Sequence, residues 1–105
     1  MKKSSSARNR MDREEFSNLE EIPNIGPAIA ADLRRLGIKA PGDLPGRDPY
    51  KMYDDLCRMT RERHDPCLLD TFIAAVRFME GAPNRPWYAY TAERKRKLAG
   101  RNEKM

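Results

Sequence analysis

Leu19-Glu20-Glu21-Ile22-Pro23-Asn24-Ile25-Gly26-Pro27-Ala28-Ile29-Ala30 carries the strongest architectural signal in this 105-residue chain. On its N-terminal side, Phe16, Leu19 and Ile22 fall on one face of a helix expected over about 12–22. Asp12 with Glu15 three positions later forms a capping-box-like entry to that helix. Pro23 stops it, because proline cannot donate to the helix ladder and restricts the residue before it. Asn24-Ile25-Gly26-Pro27 reads as a tight turn, and Pro27 suits the first turn of a second helix, where a missing N–H costs nothing. Ile29, Ala30, Leu33 and Leu36 mark the buried stripe of that helix, and Gly37 closes it as a left-handed cap. Gly26 is expected to take a backbone conformation that other residues avoid and to let a phosphate approach the main chain. The free N–H groups that open the second helix, at its positive dipole end, favour an anion there.

Working outward, Ala40-Pro41-Gly42-Asp43 is another turn, and Leu44 anchors a short helical turn. Asp48-Pro49 and Asp65-Pro66 are two copies of one start signal, a capping acid followed by proline. The first opens a helix whose apolar face is Met52, Tyr53, Leu56, Cys57 and Thr60. The second opens a helix with Leu69, Phe72, Ile73, Val76 and Met79 at helical spacing, ended by Gly81 and Pro83. After the aromatic segment Arg85-Pro86-Trp87-Tyr88-Ala89-Tyr90, Thr91 is placed to cap a final helix through Leu98. No segment alternates like a strand. The expectation is an all-α, compact bundle of about five helices with no sheet: a single domain over 12–98, between disordered tails at 1–11 and 99–105.

The positive charge sits at the ends. Residues 1–13 and 91–105 each carry net +4, whereas the body between them carries −3, for +5 overall. Basic ends strengthen non-specific nucleic-acid binding through phosphate contacts, and they also serve simply as solubilising tails. The chain is too short for two ordinary domains or a Rossmann enzyme. With 35% charged residues it offers no uninterrupted apolar run for a membrane span. Met1-Lys2-Lys3-Ser4-Ser5-Ser6 has no apolar stretch after it, so no secretory signal is expected. Two cysteines in such a chain point to free thiols in a reducing, cytoplasmic setting.

The stretch from Leu19 to Ala30, followed by Leu33, Leu36, Gly37 and Ile38, resembles the helix-hairpin-helix (SAM-like) motif. The resemblance implies that the main-chain amides at Asn24, Gly26, Ala28 and Ile29, around the buried Ile25, contact a DNA phosphate without reading bases. It further implies that the carbonyls of Glu20, Ile22 and Ile25 can hold a monovalent cation. This chain has Asn24 in place of the first hairpin glycine and Ala28 where many DNA-binding versions have Lys or Arg. Arg34, Arg35 and Lys39, with Arg94 and Lys95 near the C-terminus, are the basic residues expected to compensate. Glu20 and Glu21 would repel a phosphate if they faced it. The remaining pattern comprises Asp48-Pro49, Met52-Tyr53, Leu56-Cys57, Arg63-His64-Asp65-Pro66-Cys67, Asp70, Phe72, Ala75-Val76-Arg77-Phe78, Pro86-Trp87, Tyr90-Thr91 and Arg94-Lys95. Over residues 15–95 it resembles small bacterial pathogenicity-locus and mitomycin-resistance proteins. The Pro-Asn-Ile-Gly-Pro wording is also similar to the C-terminal helical domain of competence regulators.

Other chemistry is thinner. Cys57, His64 and Cys67 offer a thiolate pair and an imidazole, yet Cys-x6-His-x2-Cys matches no zinc-finger or ribbon spacing, and two buried structural cysteines explain it as well. Cys67 near a helix start would have its thiol pKa lowered, which keeps a redox role as an outsider. No nucleophile–base pattern, phosphate loop or HExxH is present, so no enzymatic activity is expected. Trp87, Tyr88 and Tyr90 beside Arg85 form a candidate base-stacking platform, with Trp87 expected to pack on the core and Tyr88 to stay exposed. The leading expectation is a monomeric, sequence-independent DNA-binding module in DNA repair or stress resistance. Its alternative is a protein-interaction adaptor that uses the same domain.

Overall fold

Every helix but the last begins with proline, and the residue before each proline decides how the start is held. The structure, a computed structural model, describes residues 15–103. Its α-helices are α1 (Pro27–Arg35), α2 (Pro49–Thr60), α3 (Pro66–Met79) and α4 (Thr91–Glu103), with single 3-10 turns at Leu19–Glu21, Pro41–Asp43 and Trp87–Tyr90. No strand occurs among the described residues. The Asp48 carboxylate accepts the Tyr50 and Lys51 N–H groups at 2.9 and 3.4 Å, and the Asp65 carboxylate accepts the Cys67 N–H at 2.9 Å. Both acids thus supply acceptors that the first helical turn lacks.

Three helices also end alike. Past α1, Gly37 at φ +88° lets the Ile38 N–H reach back to the Leu33 carbonyl at 3.0 Å. Past α3, Gly81 at φ +109° does the same for Ala82 and Arg77 at 2.9 Å. Past α2 the left-handed position is Arg61 (φ +59°), with Glu62 bonded back to Cys57 at 3.1 Å. The pattern is the Schellman closure, in which a left-handed residue turns the chain so that orphan carbonyls find donors.

The most apolar segment is α3, and it lies at the centre. It is buried on nearly every side, including Leu69, Phe72, Ile73, Ala75, Val76 and Met79, and it packs against α2, α4 and the Trp87–Tyr90 turn. A helix apolar all round belongs inside a fold. Leu19, Ile22, Ile25, Ala30, Leu33, Ile38 and Leu44 complete the core from the N-terminal side. Glu80, just past α3, accepts the Gly46 N–H at 2.7 Å and so fastens the loop between α1 and α2.

Two elements differ from the sequence expectation. The helix expected over 12–22 is, where described, only the 3-10 turn Leu19–Glu21; Asp12, its expected cap, lies outside the described residues. The cause is local. Glu21 turns its carboxylate back to accept the Ser17 and Asn18 N–H groups at 2.9 and 3.1 Å, replacing main-chain acceptors. Phe16 stacks on Phe78 with ring centroids 6.3 Å apart, which draws the chain across the core instead of along a helix axis. At the other end, α4 continues to Glu103, beyond the Leu98 limit expected from the pattern, so the segment assigned to a tail from 99 is helical through 103.

Candidate nucleic-acid interface

Between Ile22 and Ile29 the chain reverses in eight residues. Ile22 and Ile25 are buried and pin the bend from below, and the Ile25 N–H closes it on the Ile22 carbonyl at 3.1 Å. That bond uses one of the three carbonyls named for a monovalent cation. The left-handed residue is Asn24 at φ +75°, a conformation asparagine tolerates better than other side chains. Gly26 is not left-handed. Its φ of −97° and ψ of −175° are open to any residue, which corrects the expectation that it adopts a forbidden conformation. A Cβ placed on Gly26 meets nothing within 4 Å, so the space beside its Cα is unfilled.

The Gly26 carbonyl accepts the Ala30 N–H at 2.9 Å, the first bond of α1. The N–H groups of Asn24, Gly26, Ala28 and Ile29 have no acceptor among the described residues. They lie at the positive end of a nine-residue helix. Of the two acids before the bend, Glu21 is turned back onto Ser17 and Asn18, whereas Glu20 is exposed. The Asn24 side chain is also turned aside: its Nδ2 donates to the Arg85 carbonyl at 2.9 Å, 61 residues along the chain. The bend is thereby fixed to the segment that leads into the aromatic turn, a link with no signal in the sequence.

The expected basic support is divided. Arg34 and Arg35 are exposed in the last turn of α1, about 9 Å along the axis from Ala28 to Arg34 at about 1.5 Å per residue. Arg35 pairs with Asp32 at 3.1 Å. Lys39 is exposed just beyond, and Lys95 is exposed on α4. Arg94 is not a surface cation. Its Nε and Nη2 meet the two carboxylate oxygens of Asp70 at 2.6 and 3.3 Å, and only 12% of its side chain is exposed against 0% for Asp70. The Thr91 hydroxyl donates to the same carboxylate at 2.6 Å, so Thr91 joins α4 to α3 where a helix cap was expected. Beside them Arg77 of α3 pairs with Glu93 of α4. Arg94 therefore belongs to the core, and its expected place in the phosphate-binding set is corrected. An acid in the run from Leu68 to Val76, apolar but for its neighbour Thr71, was the available signal for this buried pair.

Cys57, His64 and Cys67 are not gathered into one ligand cluster among the described residues. No three His, Cys, Asp or Glu side chains among the described residues are grouped to hold a metal ion. Cys57 is half-buried and its Sγ accepts the His64 N–H at 3.5 Å, while the His64 ring bonds Thr60 at 2.8 Å. Cys67 is exposed, against the expectation of burial. Its thiol is pushed up from its ordinary value, chiefly by its hydrogen bond to the Asp65 carboxylate, the opposite direction from the lowering expected at a helix start. The aromatic platform is smaller than expected: Tyr90 is buried, Trp87 half-buried, and Tyr88 is exposed at 64%.

Comparison with known proteins finds relatives over most of the chain. A model of the pathogenicity locus (Cdd1) family matches residues 12–96. The mitomycin resistance protein McrB of Streptomyces lavendulae is 45% identical over 84 residues, which cover 80% of each chain. No solved structure matches. A match that runs from before the bend into α4 takes in the bend, α1 to α3 and the Asp70–Arg94 pair together, and the chain belongs to the pathogenicity locus family.

Proposed function

We propose that this protein is a sequence-independent DNA-binding module of the helix-hairpin-helix type, which holds a backbone phosphate on the main-chain donors of the Ile22–Ile29 bend. The observation that carries this reading is the set of four N–H groups, at Asn24, Gly26, Ala28 and Ile29, without acceptors beside an unobstructed Gly26. Amide donors at a positive helix end bind anions, and a phosphate is the anion that DNA presents regardless of sequence. Arg34, Lys39 and Lys95, all exposed, add attraction without base reading. Such a module acts by binding, with no reaction of its own. The name of the relative attaches it to mitomycin resistance, and a role in stress resistance follows for this chain as part of the proposal.

The test is titration of labelled DNA at several salt concentrations. The logarithm of the binding constant should fall linearly with that of salt, by about 0.9 for each phosphate neutralised on duplex DNA. Gly26→Val adds a branched side chain beside the donors at a position where a Cβ meets nothing within 4 Å and the backbone is extended, so binding should weaken about tenfold or more with the fold intact. Absence of binding at low salt would overturn the proposal and favour the protein-interaction adaptor. Binding unaffected by Gly26→Val would move the contact away from the bend.

A further inference from the structure

Tyr88 is the most exposed large apolar side chain among the described residues. It is also held in place: its ring meets Trp87 edge-on, with centroids 5.5 Å apart and planes at 85°. Both rings sit on the Trp87–Tyr90 turn, which is anchored by the buried Tyr90, and the Arg77 guanidinium lies 5.8 Å from the centre of the Tyr90 ring. A braced aromatic face loses little freedom when a flat group stacks on it. Arg85, three residues earlier, is exposed and pairs with no carboxylate among the described residues. Its carbonyl is the one held by Asn24 of the bend at 2.9 Å. Tyr88 is therefore at most about 10 Å of chain from the point where the bend and this segment join.

We propose that Tyr88, braced by Trp87, is a stacking site for an unpaired base, and that the nucleic acid this domain prefers is single-stranded. The inference rests on the phosphate-binding reading of the bend for the placement of the strand. Bases inside a duplex are stacked on one another and cannot meet this ring, whereas an unpaired base next to a held phosphate can. Aromatic side chains beside a cation are the usual means by which proteins hold single strands without reading sequence. The Arg85 guanidinium supplies that cation and contacts the adjoining phosphate.

The experiment compares three fluorescent probes of equal length on the intact protein: oligothymidylate, a duplex, and an abasic oligonucleotide with the same phosphates. Oligothymidylate should bind more tightly than the other two and quench Trp87 emission. Tyr88→Ala should weaken oligothymidylate about tenfold and leave the duplex and abasic probes unchanged, while Tyr88→Phe keeps full binding. Equal oligothymidylate affinity for Tyr88→Ala and the parent protein would overturn the stacking site. Gly26→Val should weaken all three probes alike, so the two readings separate. Loss in Gly26→Val alone leaves the bend standing and the stacking site refuted; loss in Tyr88→Ala alone does the reverse. Failure of every probe to bind would refute both.

Discussion

Two polar regions of this domain treat their hydrogen-bonding groups in opposite ways. Between α3 and α4, the fully buried Asp70 carboxylate receives the Thr91 hydroxyl and two nitrogens of Arg94. In the Ile22–Ile29 bend, four main-chain donors have no acceptor in the described residues and Gly26 leaves the approach open. The first region must be complete, because an unmet group away from water costs a large share of a small domain's stability. The second can stay incomplete at little cost, because groups at an open surface can be met by water. What separates the buried cluster from the bend proposed to bind phosphate is which groups the fold leaves unanswered, with charge a poor guide: Arg94 carries a full charge and is structural.

The comparison breaks most visibly at Asp70. Asp70→Ala strands the buried Arg94 cation and should cost about 3–5 kcal/mol, read as a lowered urea midpoint. Replacing both partners, Asp70→Leu with Arg94→Met, should recover most of that loss, because no charge is then left alone. A smaller effect belongs to the α2 start, where Asp48→Ala removes the acceptor of the Tyr50 and Lys51 N–H groups and should cost about 1 kcal/mol without altering DNA affinity. Smaller again, and of opposite sign, is Gly26→Ser. A serine hydroxyl at this position can accept the Ala28 or Ile29 N–H, so stability should rise by a few tenths of a kcal/mol while DNA binding weakens. Equal binding by Gly26→Ser would show that those amides are not the phosphate donors.

The last prediction concerns acid. The Asp65 carboxyl lies below its ordinary value of 3.8, first because it accepts the Cys67 N–H and then through the Cys67 side chain. Its stabilising contribution is therefore fully present above the unfolded value near 3.8 and is lost as pH falls through the lower folded one. Asp65→Asn keeps a capping oxygen without the titration, so it should flatten the dependence of Tm on pH below about 4 and change little at neutrality.

Local chemistry was readable in advance. Asp48-Pro49 and Asp65-Pro66 marked two helix starts, and Gly37 marked a helix end, because each rests on groups a few residues apart. The apolar spacing of Leu69, Phe72, Ile73, Val76 and Met79 also identified the face that lies in the core. Groups brought together by the fold were harder to read. Arg94 looked like one of four consecutive cations, and only its meeting with Asp70 across 24 residues shows that it is withdrawn from the surface. The hairpin sequence suggested a glycine in a special conformation, while the strain falls on Asn24 and the openness on Gly26. Phe16 was placed on a helix by its spacing, and its stacking on Phe78, far along the chain, draws it elsewhere.

The Asn24–Arg85 bond has a consequence for synthesis. The side chain that orients the bend must wait for a carbonyl 61 positions downstream. During translation that partner emerges only after most of the domain has left the ribosome, and pairing over so long a separation is slow. A nascent chain lacking Arg85 therefore displays the bend without its lateral anchor, and the bend takes its final setting only once the segment around Arg85 has been made.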